Sequence, residues 1–321
     1  MDIFSSPLGP EQLWFHNLTT ADGRAVAYDP LSRVFVTAVP HCANRTLIGC
    51  NWTAPEAGAL CRSCTLTALA PDRSMANAIP NWARTEAAKR WVLDNLGRWG
   101  WFRPEDPGTR PVFHMLAEGP TPVSMGHIEG VVTISVAEAD EVIRISRRQA
   151  LDEPHRSLIG HMRHEIAHML WWRLSLSNEF LDAFRALFGD ERSDYPTALQ
   201  RHYRDGPPPD WRDRHVTAYA SAHPHEDWAE TAANLLHLTD IADSFVATGL
   251  RSPDLPDPDW DAYAEPDPDR LIHVAVSLAL GLNHVNRAMG LSDLYPFVLS
   301  QDARRKLQFV HQCLYQGASG H

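Results

Sequence analysis

Hydrophobic and polar positions divide the chain into a strand-rich beginning and a helical remainder. Residues 1–40 carry short β-forming runs, Ala25-Val26-Ala27-Tyr28 and Arg33-Val34-Phe35-Val36-Thr37, parted by the turn signal Asp29-Pro30-Leu31-Ser32. From Asn81 to Trp99 the period becomes helical, with Trp82, Ala88, Trp91, Val92, Leu96 and Trp99 on or near one stripe and Pro80 near its start. Strands are predicted at 111–116 and 130–136, the second alternating toward its end. A largely apolar helix follows from about Glu153 to Trp172, and another covers Asn178–Phe188 and stops at Gly189. Helices from about Pro224 to Ala247, Arg270 to Ala288 and Gln301 to Gln316 complete the pattern. Between them, Ser252 to Asp269 mixes Pro and Asp so densely that regular structure has little room, and the segment reads as a lid or a linker. The pattern predicts an α+β fold, mainly helical with a small β-sheet, preceded by a small β-rich region, divided as 1–70 and 71–321.

The apolar helix before Trp172 carries a polar exception. His164-Glu165-Ile166-Ala167-His168 places two imidazoles four residues apart on one helical face, separated by about 40°. Two imidazoles so placed can grip one zinc ion, and Glu165 stands where it can reach a water on that ion. Zinc lowers the pKa of such a water, and a carboxylate that takes its proton prepares it to attack a carbonyl. The plainer alternative is a polar helix in a histidine-rich chain. The flanking Leu158, Ile159, Met162, Ile166, Met169, Leu170, Trp171 and Trp172 argue against it, because burying two His and a Glu without partners is costly.

Such a site needs a third ligand. A Gly three residues and a His six residues beyond His168 would complete one known motif, but Trp171 and Leu174 stand there. The helix near Pro224 offers Glu226 and Glu230, four apart on one face. That spacing suits a division of labour in which Glu226 binds the metal and Glu230 hydrogen-bonds a ligand His. A solvated acidic face fits poorly, since Trp228, Ala229, Ala232, Ala233, Leu235 and Leu236 surround the pair. Tyr219, seven residues before Glu226, is a candidate donor to the oxyanion of a tetrahedral intermediate, and His223 is the competing donor.

Cysteine usage adds a second candidate centre. Four of the five cysteines, Cys42, Cys50, Cys61 and Cys64, fall within 42–64, and Cys61-Arg62-Ser63-Cys64 has the close spacing of a zinc knuckle. The first residues, Met1 to Pro7, show neither the basic region nor the apolar core of a secretory signal, so a metal site is expected rather than disulfides. A zinc held by all four thiolates would keep so short a β segment folded, with His41 as a spare ligand. Cys313, alone on an apolar helix face, reads as core. No apolar run approaches the roughly 18 residues of a membrane span. The net charge, 29 − 40 = −11, disfavours nucleic acid as the main partner. A cytoplasmic protein without a membrane partner is expected.

With these residues in hand, the chain resembles a bacterial family of zinc-binding metallopeptidases from about residue 12 to about residue 250. The resemblance is carried by Cys42-Ala43-Asn44, Gly49-Cys50-Asn51-Trp52, Leu60-Cys61-Arg62-Ser63-Cys64 and Glu86-Ala87-Ala88-Lys89-Arg90. It continues in Glu153-Pro154-His155-Arg156, Arg163-His164-Glu165, Phe188-Gly189-Asp190-Glu191-Arg192 and Tyr219 through Glu230. It implies a gluzincin-like peptidase fold behind a zinc-ribbon N-terminus, with His164, His168 and Glu226 as zinc ligands and Glu165 as general base. In such peptidases a strand just before the metal helix often lies along the cleft and pairs with substrate, a role open to 130–136 beside that of an ordinary sheet strand. The chain departs from the family where a Cys-x-x-Cys-Gly knuckle is expected: it has Thr19-Thr20-Ala21-Asp22-Gly23, so no metal is expected there. The sequence therefore predicts a zinc-dependent peptidase acting on peptide or isopeptide bonds of a peptide or protein, with one catalytic and one structural zinc. The alternative is a non-catalytic zinc-ribbon adaptor whose helix zinc is structural. Solvent access to the helix site separates the two.

Overall fold

The computed structural model describes residues 1–120, 123–141, 143–144, 157–293 and 298–317. It is a mixed, mainly helical protein with small sheets. Two compact units divide the chain, Met1–Met162 and Arg163–His321, and the division falls inside the helix that carries His164 and His168.

In the first unit, short strands are set by their turns. β1 (Phe4–Ser5) pairs antiparallel with β2 (Gln12–Leu13), and β3 (Ala27–Asp29) with β4 (Val34–Val36). The Asp29 carboxylate accepts from the backbone N–H of Leu31 and Ser32, which closes the β3–β4 turn. Phe4, Phe15, Tyr28 and Phe35 meet edge to face with centroids 4.9–5.5 Å apart and form the small core behind these strands. At Thr19 to Gly23, where the resemblance leads one to expect a cysteine knuckle, hydrogen bonds close the turn. Thr20 Oγ1 donates to Asp22 at 2.5 Å, Arg24 Nε donates to the same carboxylate at 2.7 Å, and Gly23 takes a φ of +85°.

The rest of this unit contains α1 (Arg45–Ile48), β5 (Thr67–Leu69), α2 (Ala78–Arg98), β6 (Val112–Leu116), β7 (Gly126–Ile128) and β8 (Val131–Ser135). The sheet order is β5-β6-β8-β7, parallel except for β7. Phe113, Met115, Val132 and Ile134 alternate with more exposed neighbours and face the core. The expectation that 130–136 pairs with substrate meets an obstacle over Val131–Thr133, where β8 is hydrogen-bonded to β6 on one side and β7 on the other. α2 buries the predicted apolar stripe and several charges besides. Lys89 Nζ lies 2.9 Å from Glu86 and donates to Thr67 Oγ1 at 2.5 Å, and Asp94 accepts from Tyr28 Oη at 2.9 Å and Arg33 Nε at 3.2 Å. Without those partners each buried charge would be expensive.

α3 (Leu158–Leu174) carries the chain across the division, and the predicted helix start near Glu153 lies outside the described residues. α4 (Asn178–Phe188) has the predicted bounds, because Ser177 caps its start by accepting from the Phe180 N–H and Gly189 ends it at φ +100°. α5 (Tyr195–Asp205) is a helix the pattern does not announce, followed by α6 (Trp211–Arg214). α7 (Pro224–Ala247) is the core of this unit, packed by α8 (Pro268–Ala288) and α9 (Gln301–Tyr315). Trp228, in its second turn, is fully buried among Phe180, Phe184, Phe188 and Phe309, with centroids 5.4–6.3 Å away. Removing so large a buried ring typically costs about 3–5 kcal/mol. Next to it Asp227 meets Lys306 Nζ at 2.5 Å and His215 Nδ1 at 3.0 Å. The Pro/Asp-rich segment is no free lid. Its Trp260 and Tyr263 are buried, Tyr263 Oη donates to Asp240 at 2.7 Å, and Trp260 Nε1 donates to Glu265 at 2.9 Å. Among the described residues, no helix is long and apolar enough to cross a membrane.

Candidate metal centre

One bond between helices sets the register of the site. Trp228 Nε1 donates to the Ala167 carbonyl at 2.9 Å, and Trp228 lies midway between Glu226 and Glu230 while Ala167 precedes His168. Fixing α7 on α3 at that point brings both acids to the histidine face. His164 Nε2 and His168 Nε2 are 3.1 Å apart. Glu226 Oε2 is 3.1 Å from His164 Nε2, and Glu226 Oε1 is 3.5 Å from His168 Nε2. Zinc with bonds of about 2.0–2.1 Å requires tetrahedral edges of about 3.3–3.4 Å, so these separations suit one ion.

The chemistry of the donors agrees with the spacing. His164 Nδ1 meets Glu230 Oε1 at 2.7 Å, and because a carboxylate only accepts, Nδ1 carries a proton, so in the neutral ring it is Nε2 that offers its lone pair. Glu230 Oε2 accepts in turn from Thr217 Oγ1 at 2.8 Å. Glu226 is 1% exposed, and its Oε2 receives no hydrogen bond. Burial opposes charge on both His164 and Glu226. Even so, the Glu226 and Glu230 carboxylates hold His164 well above its ordinary range, and the His168 and His164 imidazoles hold Glu226 well below its own. Either added protons or one shared cation satisfies the orphaned oxygen and the facing nitrogens, and two imidazoles with a carboxylate are a donor set for zinc.

The other predicted residues take distinct places. Glu165 is buried at 5% exposure. The Tyr219 ring lies 6.1 Å from the His164 ring, and burial, then the Glu226 charge, push its phenol above the usual range, so it is a neutral donor. His223 caps α7: its Nδ1 accepts from the His225 N–H at 3.1 Å, and its Nε2 lies 3.0 Å from both Ser193 Oγ and Ser193 O. Tyr195, which sequence reasoning misses, donates to Glu226 Oε1 at 2.6 Å. Burial, then the Glu226 and Glu165 carboxylates, push its phenol up, so it too stays protonated. The one local sign of α5 is its start, Asp194-Tyr195-Pro196, an N-cap acid followed by a first-turn proline. His225 packs on Trp171 at 4.2 Å and is lowered to about 4 by burial, then by His223 and His168, so it is neutral at ordinary pH.

A second group forms in the first unit. Cys42, Cys50, Cys61 and Cys64 are buried and free of disulfides, with their sulfurs within 4.8 Å of one another. Cys50 Sγ is 3.5 Å from Cys61 Sγ and 3.7 Å from Cys64 Sγ. Zinc–sulfur bonds of about 2.3 Å give tetrahedral edges of about 3.8 Å. α1 brings the first two cysteines together, with Gly49 at φ +64° turning the chain back toward Cys50. The Cys61 N–H points at Cys42 Sγ at 3.2 Å and the Cys64 N–H at Cys61 Sγ at 3.4 Å, support suited to thiolates. His41 is not part of this group. Cys313 stands apart, its thiol pushed up to about 12 by burial, as a core residue.

Among proteins similar to the chain are one from Mycobacterium bovis and two from strains of Mycobacterium tuberculosis, each described as an uncharacterized protein. Each is 41% identical over 276 residues, which cover 84% of this chain and 81% of the relative. No solved structure matches. The family described as "Putative zinc-binding metallo-peptidase" matches residues 78–313. That span leaves the cysteine cluster outside and reaches into α9, beyond the 12–250 read from the sequence. With most of its length matched, the chain belongs to this family of zinc-binding metallopeptidases.

Proposed function

We propose that the chain is a zinc-dependent peptidase of the gluzincin type, hydrolysing peptide or isopeptide bonds in a peptide or protein substrate. One observation carries the reading: His164 Nε2, His168 Nε2 and the Glu226 carboxylate oxygens converge within reach of one ion, and Glu165, the residue after His164, is buried. Zinc held by His164, His168 and Glu226 would supply Lewis acidity toward a carbonyl and toward water. The chain's own groups do the rest. Glu165 takes a proton from the attacking water and delivers it to the leaving amine. Tyr219, a neutral phenol beside His164, donates to the oxyanion. His223 has both ring nitrogens engaged at the start of α7, so we assign it to holding that helix end, three residues before Glu226. Glu230 keeps His164 in the tautomer that offers Nε2. The four cysteines hold a structural zinc. A polypeptide substrate suits a chain of net charge −11 better than a phosphate backbone does.

Glu165→Gln tests the reading. The variant should keep the zinc content of the wild type by elemental mass spectrometry and lose about 10²–10⁴-fold in cleavage of a mixed peptide library. Cleavage at the wild-type rate would remove Glu165 from the mechanism. Inactivity of both proteins, with helix-site zinc that resists chelators, would favour the adaptor instead.

A further inference from the structure

Glu226 presents two oxygens, and the fold treats them differently. Oε2 faces His164 Nε2 at 3.1 Å and receives no hydrogen bond. Oε1 accepts the Tyr195 hydroxyl at 2.6 Å and stands 3.5 Å from His168 Nε2. At 1% exposure the carboxylate has no water to turn to as a replacement partner. Tyr195 comes from neither metal-site helix. It is the first residue of α5, where the Asp194 carboxylate accepts from the Thr197 N–H at 2.9 Å. Just before it, Ser193 lies 3.0 Å from His223 Nε2 at the start of α7. The two residues before Tyr195 are therefore anchored, Asp194 to the first turn of α5 and Ser193 to His223, and the Tyr195 ring stands edge-on to His223 at 5.0 Å.

We propose that Tyr195 is a positioning residue that holds Glu226 to a single metal-binding oxygen. A carboxylate can bind zinc through one oxygen or both. An oxygen already accepting a short O–H bond is a poorer donor to a cation. Rotating the group to offer both oxygens would break that bond. Binding through Oε2 alone leaves three protein ligands and one open position, the arrangement a catalytic zinc requires. Binding through both would add a fourth protein bond beside that position, making the ion five-coordinate once the position is taken and crowding whatever binds there. Tyr195 would thus keep the site open by what it takes away from the metal. The inference rests on the metal-site reading above but not on any activity.

Tyr195→Phe removes the hydroxyl and keeps the ring. Full-length wild type and Tyr195→Phe are prepared with zinc retained in the cysteine site, and cobalt is titrated into the helix site. The visible d–d bands report coordination number, intense for four-coordinate cobalt and weak for five-coordinate. Wild type should give a four-coordinate spectrum that shifts on adding acetohydroxamate. Tyr195→Phe should lose band intensity toward the five-coordinate pattern and respond less to acetohydroxamate. A Tyr195→Phe spectrum identical to wild type would overturn the proposal and leave the metal site standing. Wild type that takes up no cobalt outside the cysteine site would overturn the metal site, and the proposal with it. Tyr195 is 38% exposed, so the variant is expected to fold. Should it not, the infrared carboxylate stretches of metal-loaded minus metal-free wild type read the same property, and a two-oxygen signature there would also sink the proposal.

Discussion

Two groups of ligand atoms stand in the two units, and they differ in number, softness and support. The cysteine group offers four sulfurs from residues no more than 2% exposed, and its supporting contacts are backbone N–H groups from within the cluster. The helix group offers two nitrogens and an oxygen. Its histidine side chains keep 12% and 13% of their surface, and its support is a chain of side chains: Glu230, Thr217 and Tyr195. Four soft donors could complete a tetrahedron around one ion and so staple the loops that carry them. Three harder donors stop one short, and outer hydrogen bonds must then aim them. The same ion can serve folding or chemistry, and the difference lies in what the ligands lean on.

The contrast breaks most severely at the cysteines. Cys61→Ser removes a sulfur that faces Cys50 and accepts from the Cys64 N–H. Structural zinc in small domains is worth about 10–16 kcal/mol of apparent binding, and most of that is folding free energy. We expect the variant to lose one zinc equivalent and to lose hydrogen-exchange protection across β1 to β4. Two equivalents and wild-type protection would abolish the distinction between a stapling and a working metal. Next in size comes Glu165→Gln, where the expected loss of about 10²–10⁴-fold falls on turnover and not on metal content.

Much of the candidate helix site is legible from the chain because helices write their faces into sequence. His164 and His168, then Glu226 and Glu230, recur at four residues, and the apolar neighbours of each pair mark that face as buried. α7 and α4 appear at their predicted bounds because Pro224 and Ser177 mark the starts and Gly189 one end. Tyr195 shows no such mark. α5 buries only Ala198, so it has no stripe to read, and the bond to Glu226 joins residues 31 apart. Buried charges are hidden for the same reason. Lys306 reads as a surface residue until Asp227, 79 residues away, arrives beside it. Whether β8 is an edge or a central strand depends on its partners, and alternation of side chains is the same in both cases.

A smaller change sharpens the comparison at the support of the helix group. Glu230→Ala removes the acceptor of the His164 Nδ1–H bond while leaving every ligand atom in place. Zinc affinity at the helix site should fall about 10–100-fold in competition with a chromophoric chelator, while the cysteine site keeps its zinc. Glu230→Gln, which retains an oxygen but not the charge, should lie between. Unchanged affinity in both would show that three ligands suffice without an outer partner, and the two groups would then differ in donor number alone.

The smallest expected effect is one step further out. Thr217 Oγ1 donates to Glu230 Oε2 at 2.8 Å and accepts the Ala220 N–H at 3.1 Å, so it orients the acid that orients the histidine. Thr217→Val keeps the shape and deletes both bonds. A single hydrogen bond is worth about 0.5–1.5 kcal/mol net, somewhat more to a charged acceptor, and only part of it reaches the metal through Glu230. Helix-site zinc affinity should therefore weaken by less than about tenfold, and Thr217→Ser should restore it. A Thr217→Val loss as large as that of Glu230→Ala would mean that Glu230 cannot hold His164 unless it is itself held. In that case the support behaves as one unit from Thr217 to the imidazole, and its removal cannot be divided into separate contacts.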